Sequence, residues 1–366
     1  MKAFKVCLRI SVEPFLFLSG FAISLVTITN ITFTMKMICS TEKNYSDNIC
    51  DNFLQDKRYV EQKIIIQQSS NNWGILNSVV TVLPAVFLSL LFGPWSDKYG
   101  RRLPMFIPLV GAAISSAMLV TIAYVDYKFL PYIITLSTIP IGIAGYSPTL
   151  IGMSYIADIT SHNDRSIKFI FAEGVIMLGN PLGSFLAGYL QKKYGFGPVY
   201  ILALASQLTA LVYGMVFLKE TRGIGNEDTW KPRMRYFLNP NTLKESFKAC
   251  YRIRPGNDRM FLLFFLSSMF SYMFFINNTK SINVLGGFIG IFQAILPPLL
   301  RSSIAKIVNG DEIGKVFALF TSIEFATPIF ASISYAQVYN HTVHFFPSCC
   351  YFMAGYILIW PLITFT

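Results

Sequence analysis

GPWSDKYGRR, residues 93–102, sets one acid among three bases between two runs that avoid charge altogether. NSVVTVLPAVFLSLLF precedes it and LPMFIPLVGAAISSAMLVTIAYV follows. A membrane-crossing helix takes about 20 mainly apolar residues, because lipid offers the backbone no hydrogen-bond partners. Both flanks qualify, and the rest of the chain follows suit. Of its 366 residues 53% are hydrophobic and 13% charged, against roughly a quarter charged in a soluble domain. About ten apolar runs recur, at 14–37, 73–92, 103–124, 130–156, 168–190, 197–218, 260–276, 283–300, 316–338 and 345–365, each at or near spanning length. The reading is an all-α polytopic membrane protein. The first run is too long for a cleavable leader, and no small-residue cleavage site follows it.

The bases set the topology. With the N-terminus in the cytoplasm, most of the 30 Lys and Arg fall in inner loops, so the positive-inside rule expects both termini there. Orientation accounts for the formal net charge of +11 without a nucleic-acid partner; the bilayer is the partner, with anionic lipid adding to the pull. An N-terminal six-helix bundle occupies 1–218, and an incomplete C-terminal bundle of about four helices occupies 259–366. The basic stretch 219–258 between them reads as a solvated cytoplasmic linker, with a lipid-touching amphipathic piece as the lesser alternative.

Six cysteines show no metal-ligand spacing. Cys39 and Cys50 share the first outer loop, where a disulfide and two free thiols both remain open. In that loop Asn44-Tyr-Ser is the glycosylation sequon that stands clear of the bilayer. The three histidines pair with no nucleophile and no glycine-rich loop cradles phosphate, so neither an enzyme nor a cofactor is expected. Gly179 and Gly183 lie four apart in the fifth run, a helix-packing face.

Ionisable residues inside apolar runs are costly and mark functional sites. Glu324 lies about eight residues into its run, about 12 Å at 1.5 Å per residue. Glu173 lies about five residues into the fifth run, where Arg165 or Lys168 is an alternative, structural partner. Arg301 closes the eighth run and Asp158 ends the fourth; each also reads as an interfacial residue reaching for water.

With those residues in place, GPWSDKYGRR resembles the signature loop of the major facilitator superfamily: Gly93, Asp97, Lys98, Gly100, Arg101 and Arg102 fall where that loop has glycine, acid, base, glycine and two bases. VEPFLFL, YIADITSHNDRSIKFIFAE and LLRSSIAKIVNGDEIGKVFALF are similar to the solute-carrier group that includes the proton-coupled folate transporter and its thymic stromal relatives. The resemblance implies two bundles rocking about a central cavity. It also implies protons and a small organic anion, folate-like or a peptidoglycan fragment, as cargo, at the plasma membrane or an endosomal or lysosomal one. Glu173 then takes the proton-coupling position and Arg301 a proton- and substrate-binding one, while Glu324 and Asp158 join them as intramembrane acids. The intramembrane histidine of that group's seventh span has no counterpart, and the aspartate of its fourth aligns with Ala144.

The same resemblance makes the 93–102 turn a gate. In this fold the turn abuts the start of span 11, here near Gly314. Asp97 is expected to bind that helix N-terminus, while Arg101 and Arg102 hold it and meet Asp311 and Glu312. Gly93 and Gly100 are expected to permit the tight turn. The family has six plus six spans, whereas the text here passes from a seventh-span sequence to a tenth, so spans 8 and 9 are missing and the C-terminal wall is expected to be open. The alternative to a transporter is therefore a non-transporting remnant or isoform that acts as a partner or receptor. Nothing in the sequence sets an oligomeric state.

Overall fold

The computed structural model describes residues 11–54, 56–125, 132–145, 148–161, 164–222, 229–252, 257–279, 296–309, 312–342 and 349–365. No strand occurs among them. The helices are α1 (Glu13–Met37), α2 (Asp47–Asn52), α3 (Val60–Tyr99), α4 (Arg102–Tyr124), α5 (Tyr132–Ala144), α6 (Thr149–Ile159), α7 (Arg165–Tyr194) and α8 (Gly197–Phe217). They continue as α9 (Trp230–Phe237), α10 (Pro240–Tyr251), α11 (Asp258–Thr279), α12 (Leu296–Ile307), α13 (Ile313–Thr342) and α14 (Cys349–Phe365). Among the described residues seven segments are long and apolar enough to cross a membrane: α1 with its π-helical extension to Glu42, α3, α4, α5 joined to α6, α7, α8, and Ile313–Ala331 of α13. Helices α11 and α14 cover most of two further expected runs. The 283–300 run lies largely in 280–295, outside the described residues, and its end opens α12.

Two groups of helices result. In the first half α1 packs on α7 and α8, and α4 on α5 and α8, with α3 against α5. Small residues permit the closest approaches. A Cβ on Gly183 would lie 2.6 Å from the Phe21 carbonyl, and one on Gly111 would lie 2.3 Å from the Ala144 Cβ. Without a hydrophobic drive between helices in lipid, such close backbone packing is what holds them. In the second half α11 packs on α12, α13 and α14. The halves meet where α3 and α6 pack against α13 and α7 packs against α12.

Two runs differ from expectation. The second helix begins at Val60, not near residue 73, and at 40 residues it is about 60 Å long, twice the hydrocarbon thickness of about 30 Å. Its extra turns bury Ile66 in a small apolar cap with Ile38, Cys39, Cys50 and Phe53, so a stretch that reads as loop gains a reason to stay helical. The fourth run breaks between α5 and α6, where Gly145 takes φ +101° and Pro148 follows.

Cys39 and Cys50 are joined in a disulfide, Cα atoms 5.6 Å apart, at the end of the molecule opposite the 93–102 turn. Asn44 is exposed there with φ +51°, a conformation that asparagine tolerates. Glycosidase is expected to raise the gel mobility of the wild-type chain and leave Asn44→Gln unmoved. A shift that survives the substitution would put the glycan, or this end of the molecule, elsewhere.

The 219–258 segment is less solvated than its composition suggests. Helices α9 and α10 lie against the ends of α3 and α13: Phe237 packs on Phe92 and Trp95, and Ser246 donates to the Leu90 carbonyl at 3.0 Å.

Candidate functional site

Three charged groups converge between the halves. Arg301 of α12 forms ion pairs with Glu173 of α7 and Glu324 of α13, with its guanidinium 5.1 Å above the Phe320 ring. Only 3% of Arg301 is exposed, so it is not an interfacial residue reaching for water. Glu173 is also buried, and neither Lys168 nor Arg165 is its partner. Lys168 pairs instead with Glu13 at 2.6 Å, and Arg165 donates to the carbonyls of Ala305 and Ala157. The trio therefore ties the first half (Glu173) to the second (Arg301, Glu324).

The 93–102 turn builds a second cluster. Asp97 accepts from the backbone amides of Gly314 and Lys315, both at 3.0 Å, at the start of α13, where the helix dipole favours an anion. Arg101 is fully buried and commits its guanidinium to Asp97 at 2.7 Å, Asp158 at 2.9 Å and the Ser96 hydroxyl at 2.6 Å. Arg222 also pairs with Asp158, at 2.9 Å. Asp158 thus belongs to this cluster and not with Glu173 and Glu324: α6 ends at Ile159, which brings its last acid to the turn.

Other expected contacts of the turn are replaced. Arg102 donates Nη2 to the Met215 carbonyl at 2.8 Å, away from Asp97. Glu312 pairs with Arg252 at 2.6 Å, and Asp311 lies outside the described residues. Lys98 sits 4.4 Å above the Tyr236 ring of α9. Gly93 lies inside α3, not in the turn. A Cβ there would meet the Gly314 carbonyl at 2.4 Å and the Ala318 Cβ at 2.5 Å, so this glycine serves close helix approach. Gly100 does make the turn, at φ +117°.

Sequence reasoning overlooked several contacts. Glu220 accepts the amides of Arg101 at 2.6 Å and Arg102 at 3.2 Å; an acid just past the sixth run was its signal. Gly314 has no room for a side chain beside Asp97 and Arg101. Ser89 and Ser322 share a hydrogen bond of 2.7 Å across the α3–α13 seam. Arg165 reaches the carbonyl end of α12 while Asp97 reaches the amide end of α13, so the first half grips the α12–α13 turn by both dipoles. Ser166 and Ser302, 2.7 Å apart, add to that seam.

An apolar cavity of about 680 Å³ lies between α10, α11, α13 and α14, lined by Leu266, Phe270, Leu319, Ile323 and Trp360 and by none of the trio. In successive turns α13 shows Leu319 and Ile323 to the cavity and Phe320 and Glu324 to Arg301.

Two helical halves with a buried ionisable trio between them and an ion-paired cluster at one end make an α-helical membrane protein of two-bundle architecture. The Major Facilitator Superfamily profile matches residues 16–277, and the chain belongs to that superfamily. It is 21% identical to the lysosomal proton-coupled steroid conjugate and bile acid symporter of Homo sapiens, covering 96% of this chain and 93% of that one. To the probable peptidoglycan muropeptide transporter of Drosophila melanogaster it is 20% identical, covering 91% and 80%. The proton-coupled folate transporter of Rattus norvegicus is 26% identical over 59% of this chain and 47% of its own length. Among solved structures, the human organic anion transporter MFSD10 superposes with a TM-score of 0.62 at 16% identity, over 97% of this chain and 99% of the other. The alignment with the human symporter runs over 432 residues against 366 here, so that relative carries residues without a counterpart in this chain.

Proposed function

We propose that the protein couples the movement of an amphipathic organic anion to protons, and that the pairing of Arg301 with two glutamates carries this reading. Two carboxylates and one guanidinium sum to one negative charge. A buried uncompensated charge costs several kcal/mol, so charge balance asks for one proton in the trio. An incoming carboxylate or sulfate suits the Arg301 fork but must displace a glutamate from it, and balance then asks for a second proton. Anion and proton each favour the other's binding, which is reciprocal coupling.

The same step frees the halves to move. With its partner taken by substrate and its own charge neutralised, Glu173 no longer holds α7 to α12. The apolar cavity of 680 Å³ beside the same helix, α13, suits the apolar body of such an anion. The names of the relatives, which pair protons with steroid conjugates, bile acids or folate, fit a cargo of this kind. Asp97, Arg101, Asp158 and Arg165 close the end that the positive-inside rule puts in the cytoplasm.

Proteoliposomes holding the purified chain test the reading. A pH jump, acid outside, is expected to drive accumulation of a labelled bile acid or folate, with higher apparent affinity at lower pH. The cavity and the relatives' extra residues favour a second reading, a remnant that binds but does not transport; saturable binding without any pH-driven accumulation would establish it.

A further inference from the structure

The apolar cavity opens sideways. Tyr251, Phe270 and Trp360 line it yet stay 58%, 38% and 48% exposed, so its outer edge faces whatever surrounds the helices. Its lining on α11 runs from Leu263 to Ser271, about 8 to 20 Å from the start of a helix that rises 1.5 Å per residue. With Asp258 and Arg259 among the headgroups, that depth is one leaflet of a hydrocarbon layer about 30 Å thick. The leaflet is the one on the side of the 93–102 turn, which the positive-inside rule makes cytoplasmic. The neighbour at this mouth is therefore lipid. The Ser267 hydroxyl already donates to the Phe264 carbonyl at 2.9 Å, which leaves the wall suited to hydrocarbon.

The rim of the mouth is basic. The cavity-lining stripe of α11 (Leu263, Leu266, Ser267, Phe270) continues one turn outward to Arg259. On α10, Tyr251 is preceded at helical spacing by Lys248 and Lys244. Arg259, Lys248 and Lys244 are exposed and form no ion pair or hydrogen bond among the described residues. From 244 to 259 the chain holds Lys244, Lys248, Arg252, Arg254 and Arg259 against Glu245 and Asp258, so a positive balance remains after Arg252 has paired with Glu312. Bases at this level attract anionic headgroups, and a helix that mixes Lys with exposed Phe247 and Tyr251 belongs in that interface.

We propose that this cavity takes an anionic amphiphile from the cytoplasmic leaflet, its hydrocarbon body among Leu266, Phe270 and Trp360 and its acid head at Arg259 and Lys248. A volume of about 680 Å³ lies in the range of small-molecule sites, about 300–1,000 Å³, so the occupant is a single compact body or chain. None of the proton-binding trio lines the cavity, and occupancy asks for no proton there. The site gives the cargo of the symport a route through the bilayer. That use rests on the reading above; the binding does not.

Trp360 offers the readout. In phosphatidylcholine nanodiscs, at a pH where the acid is ionised, dibrominated stearate at a minor fraction is expected to quench tryptophan fluorescence saturably. It should quench more than its uncharged methyl ester at the same fraction. Trp360→Phe should remove the excess, and so should Ser267→Phe, which sets a ring in the cavity. A base near an anionic bilayer surface is worth about fivefold in affinity, so Arg259→Gln should weaken binding by about that factor and Arg259→Lys should restore it. Equal quenching by acid and ester in the wild type would overturn the proposal, as would an excess that survives Trp360→Phe. Quenching that follows the aqueous concentration of the acid, and not its mole fraction in the bilayer, would overturn it too, by putting the mouth on water. Excess quenching without pH-driven accumulation in proteoliposomes would uphold the site and count against the transport reading alone.

Discussion

Replacing both Glu173 and Glu324 by glutamine is expected to make anion binding tighter and independent of pH while abolishing accumulation driven by a proton gradient. Arg301, 3% exposed, would then stand without a counter-charge in the empty protein. A buried charge that has lost its partner costs about 3–5 kcal/mol, and the substrate anion relieves that cost by supplying the partner. With no carboxyl left to exchange a proton, binding no longer responds to pH. Release slows, and turnover falls with it. Each single glutamine variant keeps one acid and should retain pH-dependent affinity, but only Glu173→Gln removes the ion pair between α7 and α12 and should speed opening of that seam. Binding isotherms at two pH values, alongside uptake in the same proteoliposomes, check this directly. Should the double variant keep the wild-type pH dependence, the two acids are structural and the coupling proton travels elsewhere.

Asp97→Asn and Gly93→Ala are expected to open the opposite seam by separate routes. The first removes the anion from the start of α13 and takes one carboxylate from Arg101, leaving that buried guanidinium with Asp158. A partly buried helix-dipole contact is worth up to about 2 kcal/mol, which shifts the closed-to-open ratio by up to about 30-fold. The second leaves every charge in place and acts by bulk, since a Cβ on Gly93 would meet the Gly314 carbonyl at 2.4 Å with no flexible atom to yield. A cysteine placed at Ser322, whose hydroxyl faces Ser89 across the seam, should react faster with a polar thiol reagent in both variants. Unchanged labelling in both would reduce the 93–102 turn to a positive-inside signal.

The reach of the sequence can be read from particular residues. Lipid acts on each stretch by itself: a segment must be about 20 apolar residues long and satisfy its own backbone. That is why the spans, the helical class and the superfamily's turn could be read from the chain. The Asp97–Gly314 contact was accessible as well, because the motif fixes which helix start lies opposite. Helix α3 was misjudged at its N-terminal end because the apolar cap around Ile66 is assembled from α1, α2 and α3 together. Glu220 was overlooked because an acid just past a run is unremarkable by itself.

The sequence by itself determined that the chain is a polytopic α-helical membrane protein of this superfamily, and it put Glu173 and Glu324 inside apolar runs, where charge needs a partner, while leaving Arg301 open between a site residue and an interfacial one. The tertiary structure alone decided who the partners are. It gave Arg301 to two glutamates on two other helices, Lys168 to Glu13, and Asp158 to the turn's arginine in place of the intramembrane acids. It also separated Arg101, buried against Asp97, from its neighbour Arg102, which faces α8. The physical reason is range: burial and helix length follow from local composition, whereas an ion pair such as Arg301–Glu173 or a cap 217 residues away depends on how whole helices pack.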